Sequence, residues 1–397
     1  MKQYRYCLLL VFCTSCRLFS PNEPTEPQSP SVAWKTKIIE NVLIDYSFPL
    51  ARWNNIVVCM GQAGENKQRL LGLDATTGEV RWMWEDFFEY GQPSGLVFSL
   101  EWHQLGEILL FVSGGKQYCV DISTGKTLWR RYREYSSRGG VCGNGYQYAI
   151  VGTTFDNTGE MYDNIYVGDI RDPEIERCIY KGTPGRALGR PYLYRDANGT
   201  LRILFLEVIR STGTTDYSYT TYIVGFDLTS DREIYRTMVY SQTKDGGGAI
   251  TKVYGDNCYS VVGRRMVCTG LGTGKIRWFQ NFPGDFLFSG FIIVDGTIYA
   301  NCEDTYLYAL DAETGLIKWR EKSSGTSSPL FYMDGVLYYV GGGDGMLHAV
   351  DAATGKHLWK IDPPERNDYG FTRSRPTGFD GRLYVTSWTT AYCYRVR

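Results

Sequence analysis

The sequence carries almost no net charge and very few histidines. Its 42 Lys and Arg residues balance 43 Asp and Glu residues, which gives a formal net charge of −1, and neither sign forms a long run. Proteins that bind nucleic acid present a basic face to the phosphate backbone. The composition therefore argues against nucleic acid as a partner. Of the three histidines, His348 and His357 occupy repeat positions that hold other residue types elsewhere, which favours structural roles.

Closely spaced cysteine ligands are missing from the main part of the chain. Beyond residue 16 the cysteines are far apart and form no Cys-x-x-Cys pair, which disfavours a zinc site. Cys258 and Cys268 flank a predicted tight hairpin, and whether they form a disulfide stays open. No Gly-x-Ser-x-Gly nucleophile motif occurs, and Gly125-Lys126-Thr127 lacks the upstream glycine of a phosphate-binding loop. We therefore predict no catalytic residues, no metal site and no cofactor.

No long hydrophobic run is present, but a short one lies near the N-terminus. The apolar stretch 7–13 follows Lys2 and Arg5, as in an export signal, and is too short to span a bilayer. Thr14-Ser15-Cys16 resembles the lipobox of bacterial lipoproteins, in which the cysteine is acylated and becomes the first mature residue. We predict a lipoprotein signal peptide at 1–15 and lipidation at Cys16. A plain secretory signal is the alternative.

A proline-rich segment separates the predicted signal from the rest of the chain. Residues 20–31 contain four prolines among polar residues and cannot pack a core. We predict a lipid-anchored tether at 16–31, followed by a single domain at 32–397. The lipid would attach this domain to a membrane, which places the protein in the cell envelope.

One phrase recurs along the predicted domain: Asp, two residues, Thr-Gly, three residues and Trp. Weaker copies end at Tyr180 and Tyr235, so that aromatic terminators recur every 40 to 55 residues. The Asp can accept backbone N–H bonds inside a turn, and the Gly permits positive φ. The Trp would lie on an outer strand and cover the gap to the next blade. The structural residues of the repeat are Asp74, Trp82, Asp121, Trp129, Trp278, Asp311, Trp319, Asp351 and Trp359.

This period, built from short alternating strands and glycine turns without a helical pattern, is typical of a β-propeller. We predict an all-β, eight-bladed β-propeller of four-stranded antiparallel blades, with seven blades as the alternative. The phrase Ala33-Trp34-Lys35 reads as an orphan outer strand. Pairing of this N-terminal strand with the C-terminal strands would complete the last blade and close the ring.

The Asp-x-x-Thr-Gly-x-x-x-Trp phrase resembles the tryptophan-docking repeat of pyrroloquinoline quinone-like propellers over nearly all of residues 32–397. Within that superfamily, an exported lipoprotein that is essentially one propeller is similar to the BamB-type subunit of the outer-membrane β-barrel assembly machinery. The resemblance implies a non-enzymatic, monomeric scaffold that is anchored to the outer membrane, faces the periplasm and contacts envelope proteins, including that machinery. Because many proteins with other functions share these blades, the assignment of this partner is by analogy.

Two other functions stay open at this point. A quinoprotein dehydrogenase would hold its quinone over the propeller axis with a Trp floor, adjacent cysteines and calcium-binding Glu and Asn, but this chain has no adjacent cysteines. A glycan-binding surface lipoprotein is suggested by 18 Phe, 10 Trp and 31 Tyr residues, since aromatic faces stack on sugar rings. Most of these aromatic residues are expected to serve blade packing.

Candidate partner-binding residues lie in the connections between blades and in one long hairpin. The connections cluster on one rim of a propeller and are rich in arginine, which favours an anionic or carbonyl-bearing ligand. Salt bridges among the loops are the alternative. The hairpin 209–222 presents tyrosines where a minimal blade has a tight turn. The selected residues are Arg138, Arg186, Arg190, Arg373 and Arg375 in the connections, and Tyr217 and Tyr219 in the hairpin.

Overall fold

The computed structural model is built from β-strands and turns. It describes residues 29–38, 50–62, 68–86, 102–113, 116–133, 136–212, 217–243, 249–286, 290–325, 327–365 and 370–396. Within these ranges the chain forms 33 strands and no helix. None of the described residues belongs to an apolar helix long enough to cross a membrane.

The first four blades follow one another along the chain after an N-terminal strand, β1 (Ser31–Lys37). Each sheet is ordered as the chain runs, from the inner strand to the outer one, and blade 4 divides its inner strand into two pieces, β14 and β15. Blade 1 comprises β2 (Ala51–Trp53), β3 (Ile56–Gln62), β4 (Gln68–Asp74) and β5 (Val80–Trp84); blade 2 comprises β6 (His103–Leu105), β7 (Ile108–Ser113), β8 (Lys116–Asp121) and β9 (Thr127–Tyr132); blade 3 comprises β10 (Ser136–Asn144), β11 (Gln147–Phe155), β12 (Met161–Asp169) and β13 (Asp172–Lys181); blade 4 comprises β14 (Arg186–Leu188), β15 (Tyr192–Arg195), β16 (Leu201–Thr212), β17 (Tyr217–Asp227) and β18 (Arg232–Thr243).

The last four blades repeat the same order, except that blade 8 takes its outer strand from the N-terminus. Every pairing within a blade is antiparallel, and this pattern gives four strands from three short hairpins. Blade 5 comprises β19 (Ala249–Tyr254), β20 (Asn257–Val262), β21 (Arg265–Gly270) and β22 (Ile276–Asn281); blade 6 comprises β23 (Phe291–Val294), β24 (Thr297–Asn301), β25 (Tyr306–Asp311) and β26 (Ile317–Lys322); blade 7 comprises β27 (Phe331–Met333), β28 (Val336–Val340), β29 (Leu347–Asp351) and β30 (His357–Ile361); blade 8 comprises β31 (Thr377–Phe379), β32 (Arg382–Thr386) and β33 (Thr390–Arg395).

The ring closes through the two ends of the chain, as predicted. β1 pairs antiparallel with β33, so that Ser31 lies opposite Arg395 and Lys37 opposite Thr390. The resulting sheet order is β1-β33-β32-β31, with the N-terminal strand outermost. The eight-bladed, all-β prediction is confirmed, and the seven-bladed alternative is wrong because β1 completes a sheet of its own.

Aromatic residues on the outer strands join each blade to the next. The indole N–H of Trp319 in blade 6 donates to the carbonyl of Ala352 in blade 7 at 3.1 Å. Its ring lies against Gly355, where an added Cβ would come within 2.7 Å of the ring at a φ of +78°. The same indole-to-carbonyl bond is made by Trp34, Trp82, Trp129 and Trp278. In blade 4 the hydroxyl of Tyr235 replaces the indole and donates to Leu271 at 2.9 Å. The repeat therefore specifies both a turn and the contact between blades.

The Asp of the phrase organises the turn between the third and fourth strands. Asp74 accepts the backbone N–H groups of Thr76 and Thr77 at 2.8 and 2.9 Å, and Arg81 donates to its other oxygen at 2.7 Å. Burial alone would raise the pKa of Asp74, but these hydrogen bonds outweigh it and lower the pKa to about 2. The carboxylate stays ionised, and the turn fixes the hairpin register.

The cysteine pair left open by the sequence is not a disulfide in the structure. Cys258 lies opposite Thr269, whereas Cys268 lies opposite Tyr259, so the two thiols point to opposite faces of blade 5. Cys268 packs between blades 5 and 6, and Cys258 packs between blades 4 and 5. All eight cysteines in the described part of the chain are free. They serve as small buried apolar groups, apart from the half-buried Cys178.

Candidate partner-binding face

The two ends of the ring differ in what they present. One end, the turn face, carries the turns between the first and second and between the third and fourth strands of each blade; the N–H of Ala75 donates to Asn55 there at 2.8 Å. The other end, the loop face, carries the middle hairpin of each blade and the connections between blades, as where Phe371 donates to Gly345 at 2.8 Å. Only the loop face therefore gathers segments of irregular length.

Blades 3 and 4 rise above the rest of the loop face. The middle hairpin pairs five residues per strand in blade 7 but nine in blade 3 and eleven in blade 4. The register is fixed at the turn face, because Asp227 and Asp351 both end their strands there. The six extra pairs of blade 4 add about 20 Å at ~3.3 Å per residue. We call the raised strand ends the blade 3–4 wall, comprising residues 153–155, 161–163, 207–212, 217–222 and 238–243.

A buried carboxylate holds the base of the wall in blade 4. The side chain of Glu207 is fully buried and accepts the hydroxyl of Tyr180 in blade 3 at 2.9 Å. Arg236 forms an ion pair with it from β18, and Arg186 approaches to 3.2 Å from β14. Two guanidinium groups thus share one carboxylate. This cluster joins the inner, second and outer strands of blade 4 to the neighbouring blade.

A second buried ion pair lies between blades 2 and 3. Arg133 contacts Glu176 at 2.5 Å, and both side chains are less than a tenth exposed. Tyr148 and Gln117 donate to the same carboxylate at 2.9 and 3.1 Å. Burial, followed by the nearby Glu176 charge, raises the pKa of the Tyr148 hydroxyl, so that it remains a donor. The boundary that precedes the wall thus adds a buried ion pair to an apolar contact in which Leu110 packs with Val141 and Ile150.

The predicted arginines fall on opposite sides of the ring. Arg186 begins the inner strand of blade 4 and lies beside Glu207, while the nearby Arg190 donates to the carbonyl of Val141 in blade 3 at 2.8 Å. Arg373 and Arg375 precede β31 in blade 8, four blades away. The structure thus brings the first two together and separates them from the second two.

The blade 8 arginines differ in their surroundings. Arg373 is exposed and reaches the carbonyl of Gly342 in blade 7 at 3.5 Å. Arg375 is half-buried, and its guanidinium carbon lies 5.8 Å from the centre of the Trp102 ring. Arg373 is therefore the better placed of the two to meet a partner.

The remaining predicted residues lie in or beside the wall. Tyr219 is half-buried in β17, opposite Arg210 on one side and Gln242 on the other. Arg138 is part of β10 and Tyr217 begins β17, but their side chains lie outside the described residues. The hairpin tyrosines are thus on a wall of three long strands.

Two apolar side chains at the tip of the blade 3 hairpin are not among the partner-binding residues predicted from the sequence. Phe155 is 64% exposed and lies directly opposite Met161, which is 41% exposed. On the outer strand of the wall, Met238 is 54% exposed. Exposed apolar groups on a raised edge are typical of protein contact surfaces. In the sequence, the length of the hairpin formed by β11 and β12 was the feature that could have indicated these residues. The acidic residues of the loop between the two strands made that length hard to recognise.

The described residues do not reproduce the donor set of a quinone site. The repeat indoles bond to carbonyls between blades, as Trp278 does with Ala312 at 3.0 Å, and so do not form a floor on the axis. The sequence has no adjacent cysteines. Across the described ranges, no group of three His, Cys, Asp or Glu side chains converges as metal ligands.

Comparisons with known proteins place these features in a family. A model of the family described as outer membrane protein assembly factor BamB matches residues 25–144 and 220–387. BamB of Shewanella oneidensis is 22% identical over 375 residues, covering 90% of this chain and 86% of that protein. The tetrathionate hydrolase of Acidithiobacillus ferrooxidans is 24% identical over 302 residues, covering 68% of this chain. The match spans 58% of the hydrolase.

Solved structures share the propeller fold at low identity. BamB from Moraxella catarrhalis superposes with a TM-score of 0.56 at 12% identity, covering 92% of this chain and all of that one. A europium-containing methanol dehydrogenase gives a TM-score of 0.64, also at 12% identity, with 92% and 93% coverage. These likenesses show the fold alone. The family model omits residues 145–219, which contain β11 to β16 and hence more than half of the wall. Since the model matches most of the chain on both sides of this gap, the chain belongs to the BamB family of outer membrane protein assembly factors.

Proposed function

We propose that this protein is a non-enzymatic scaffold lipoprotein of the cell envelope that assists the assembly of outer-membrane β-barrel proteins. The observation that carries the proposal is the family match over residues 25–144 and 220–387. The protein would act as a monomeric propeller that holds another envelope protein, in the first place a subunit of the barrel-assembly machinery. Its contribution would be to bind that protein and to orient it, without catalysing a reaction.

The position of the first strand supports an anchored arrangement. Ser31 enters β1 opposite Arg395, which lies at the turn face. A lipid on Cys16 and a tether at 16–31 would therefore join the propeller at its turn face. Fully extended, such a tether spans about 50 Å at ~3.3 Å per residue. The loop face, with the blade 3–4 wall, would be left free for a partner in the periplasm.

The wall supports a protein partner more than a small ligand. It offers exposed Phe155 and Met238 on raised strands, and Arg186 at its base carries charge that Glu207 shares with a second arginine. An apolar edge on raised strands, with a charge-balanced cluster at its base, fits a partner strand or loop. We propose that the wall makes the main contact and that Arg373, across the ring, makes a secondary one.

Purification from native membranes tests the function. The chain is isolated with a mild detergent, and stoichiometric companions are identified by mass spectrometry. We expect a barrel-assembly subunit at a stoichiometric level, and we expect loss of the chain to lower the amount of folded outer-membrane protein. Recovery of the chain alone, or with bound glycan, would contradict the proposal.

Charge reversal tests the secondary contact. Arg373→Glu combined with Arg375→Glu should weaken co-purification of the companion by several-fold, because two attractive rim charges become repulsive. The matched control is Arg320→Glu with Lys322→Glu on the outer strand of blade 6, which changes the charge equally and should leave binding unchanged. Equal binding by both double variants would show that Arg373 and Arg375 do not contact the partner. The proposal that the wall makes the main contact would still stand.

A hydrolytic enzyme is the second candidate, and the likeness to tetrathionate hydrolase favours it. Purified protein is assayed for tetrathionate hydrolysis, and separately for dye reduction with calcium and added pyrroloquinoline quinone. The scaffold proposal predicts no turnover in either assay. Turnover that rises in proportion to the concentration of protein would establish an enzyme instead.

A further inference from the structure

Two of the three histidines meet on the outer half of blade 7. Nδ1 of His348 lies 3.2 Å from Nε2 of His357, and the ring planes cross at 85°. His348 is on β29 and His357 is on β30, diagonally across the strand pair. We propose that these two nitrogens form a binding site for a divalent transition-metal ion of the zinc class. The proposal is independent of the scaffold function.

A carboxylate fixes the state of the first imidazole. Both oxygens of Asp344 lie within hydrogen-bond distance of Nε2 of His348, at 3.1 and 3.0 Å. Nε2 therefore carries the proton and donates it to the carboxylate. The lone pair of His348 is then on Nδ1, which faces His357. A carboxylate that orients a ligating imidazole through its other nitrogen is a recurring feature of metal sites.

The distance between the two nitrogens suits one ion. Zinc binds imidazole nitrogen at about 2.0–2.1 Å, so two neighbouring positions of a tetrahedral ion are about 3.4 Å apart. The observed 3.2 Å needs little adjustment. Without metal, the contact requires a proton on Nε2 of His357. Metal binding moves that proton to Nδ1 of the same ring and leaves both facing nitrogens as donors of electron pairs.

The surroundings make the site rigid on one side and open on the other. His348 is 5% exposed and stacks on Tyr339, with ring centroids 4.8 Å apart and planes within 6° of parallel. His357, in contrast, is exposed. Because no third ligand converges there among the described residues, water or an external ligand would complete the coordination. The site would bind an exchangeable ion and would not be a closed structural centre.

Charged groups on both sides act on an ion bound by the pair. Asp344, whose carboxylate contacts Nε2 of His348, attracts a cation. Lys360 lies opposite His348 and repels it. Lys360→Gln should therefore tighten metal binding.

Zinc titration of the purified, tag-free protein tests the site. We expect one equivalent of Zn²⁺ by calorimetry, an affinity loss of at least tenfold in His357→Gln, and a loss of about 10–100-fold in Asp344→Asn. The matched control is His103→Gln, which alters the third histidine, bonded to the carbonyl of Gly145, and should bind zinc as the unaltered protein does. No zinc binding by the unaltered protein, or equal binding by His357→Gln, would overturn the proposal.

A second readout separates metal binding from folding. His357 is exposed, so His357→Gln should unfold at nearly the same temperature as the unaltered protein without metal. Added Zn²⁺ should raise the unfolding temperature of the unaltered protein and of Lys360→Gln, but not that of His357→Gln. An equal rise in all three would assign zinc binding to other groups, such as the thiols, and would contradict the proposal.

Discussion

Blades 6 and 7 are held together differently from blades 3 and 4. Between blades 6 and 7 the contact is apolar, with Leu307 and Ala309 facing Leu337 and Val350, and Trp319 docks on the turn of the next blade. Blades 3 and 4 also share an apolar core, in which Val151 packs with Phe205. They have lost the Thr-Gly turn, however, and in blade 3 a tyrosine hydroxyl bonded to Glu207 takes the place of the docking indole. The blades that depart from the repeat phrase are thus also the ones with a buried charge cluster and longer strands. These longer strands form the wall.

The largest expected effect comes from breaking the buried charge cluster. Glu207→Ala removes one carboxylate from two guanidinium groups at the base of the wall, and we expect a loss of about 3–5 kcal/mol in unfolding free energy. Urea denaturation followed by circular dichroism measures it. The control is Glu233→Ala, whose half-exposed carboxylate also pairs with Arg236 and should cost less than about 1 kcal/mol. Equal losses of unfolding free energy would show that the buried carboxylate of Glu207 contributes no more than the half-exposed carboxylate of Glu233.

A smaller effect is expected from giving a regular blade the aromatic residue of blade 4. Trp319→Tyr keeps a ring on the outer strand of blade 6, and Tyr235 shows that a hydroxyl can reach the carbonyl of the next blade. We expect a cost of about 1–2 kcal/mol, against about 3–5 for Trp319→Ala. Thermal unfolding of both variants checks the order. If Trp319→Tyr lost as much stability as Trp319→Ala, a tyrosine would be able to dock on the next blade only in the surroundings that blade 4 provides.

The smallest effect concerns the turn carboxylate of a regular blade. Because the pKa of Asp74 is lowered to about 2 in the folded protein, its ionised form stabilises the fold above the unfolded pKa of 3.8. This stabilisation is lost as the pH falls from about 4 to 2. Stability curves over that range should fall more steeply for the unaltered protein than for Asp74→Asn, and parallel curves would contradict the assignment.

The sequence predicted the regular part of the fold because the phrase acts locally. Asp351, for example, bonds to a backbone N–H and a hydroxyl three residues away, so its effect can be read within one window. Ring closure followed from the orphan strand around Trp34. The phrase also predicted blade 4, since Tyr235 keeps the docking position even without Thr-Gly.

The candidate site could be predicted only in part, because it depends on distant pairs. Tyr180 and Glu207 are 27 residues apart, and Arg190 reaches Val141 from 49 residues away. No local pattern shows that Arg186 shares a buried carboxylate or that Arg373 lies across the ring from it. His348 and His357 were correctly placed inside a repeat, but their contact depends on a diagonal register between two strands.

Shortening the wall tests the central claim most directly. Residues 210–219 are replaced by Asn-Gly, which joins the paired positions Ile209 and Thr220 through a tight turn and gives blade 4 a hairpin closer to that of blade 7. The unfolding temperature serves as the control for folding, since Glu207 and its partners are retained. If the wall is the partner-binding surface, the variant folds and no longer co-purifies with the barrel-assembly subunit. Full co-purification by a folded, shortened variant would contradict the account.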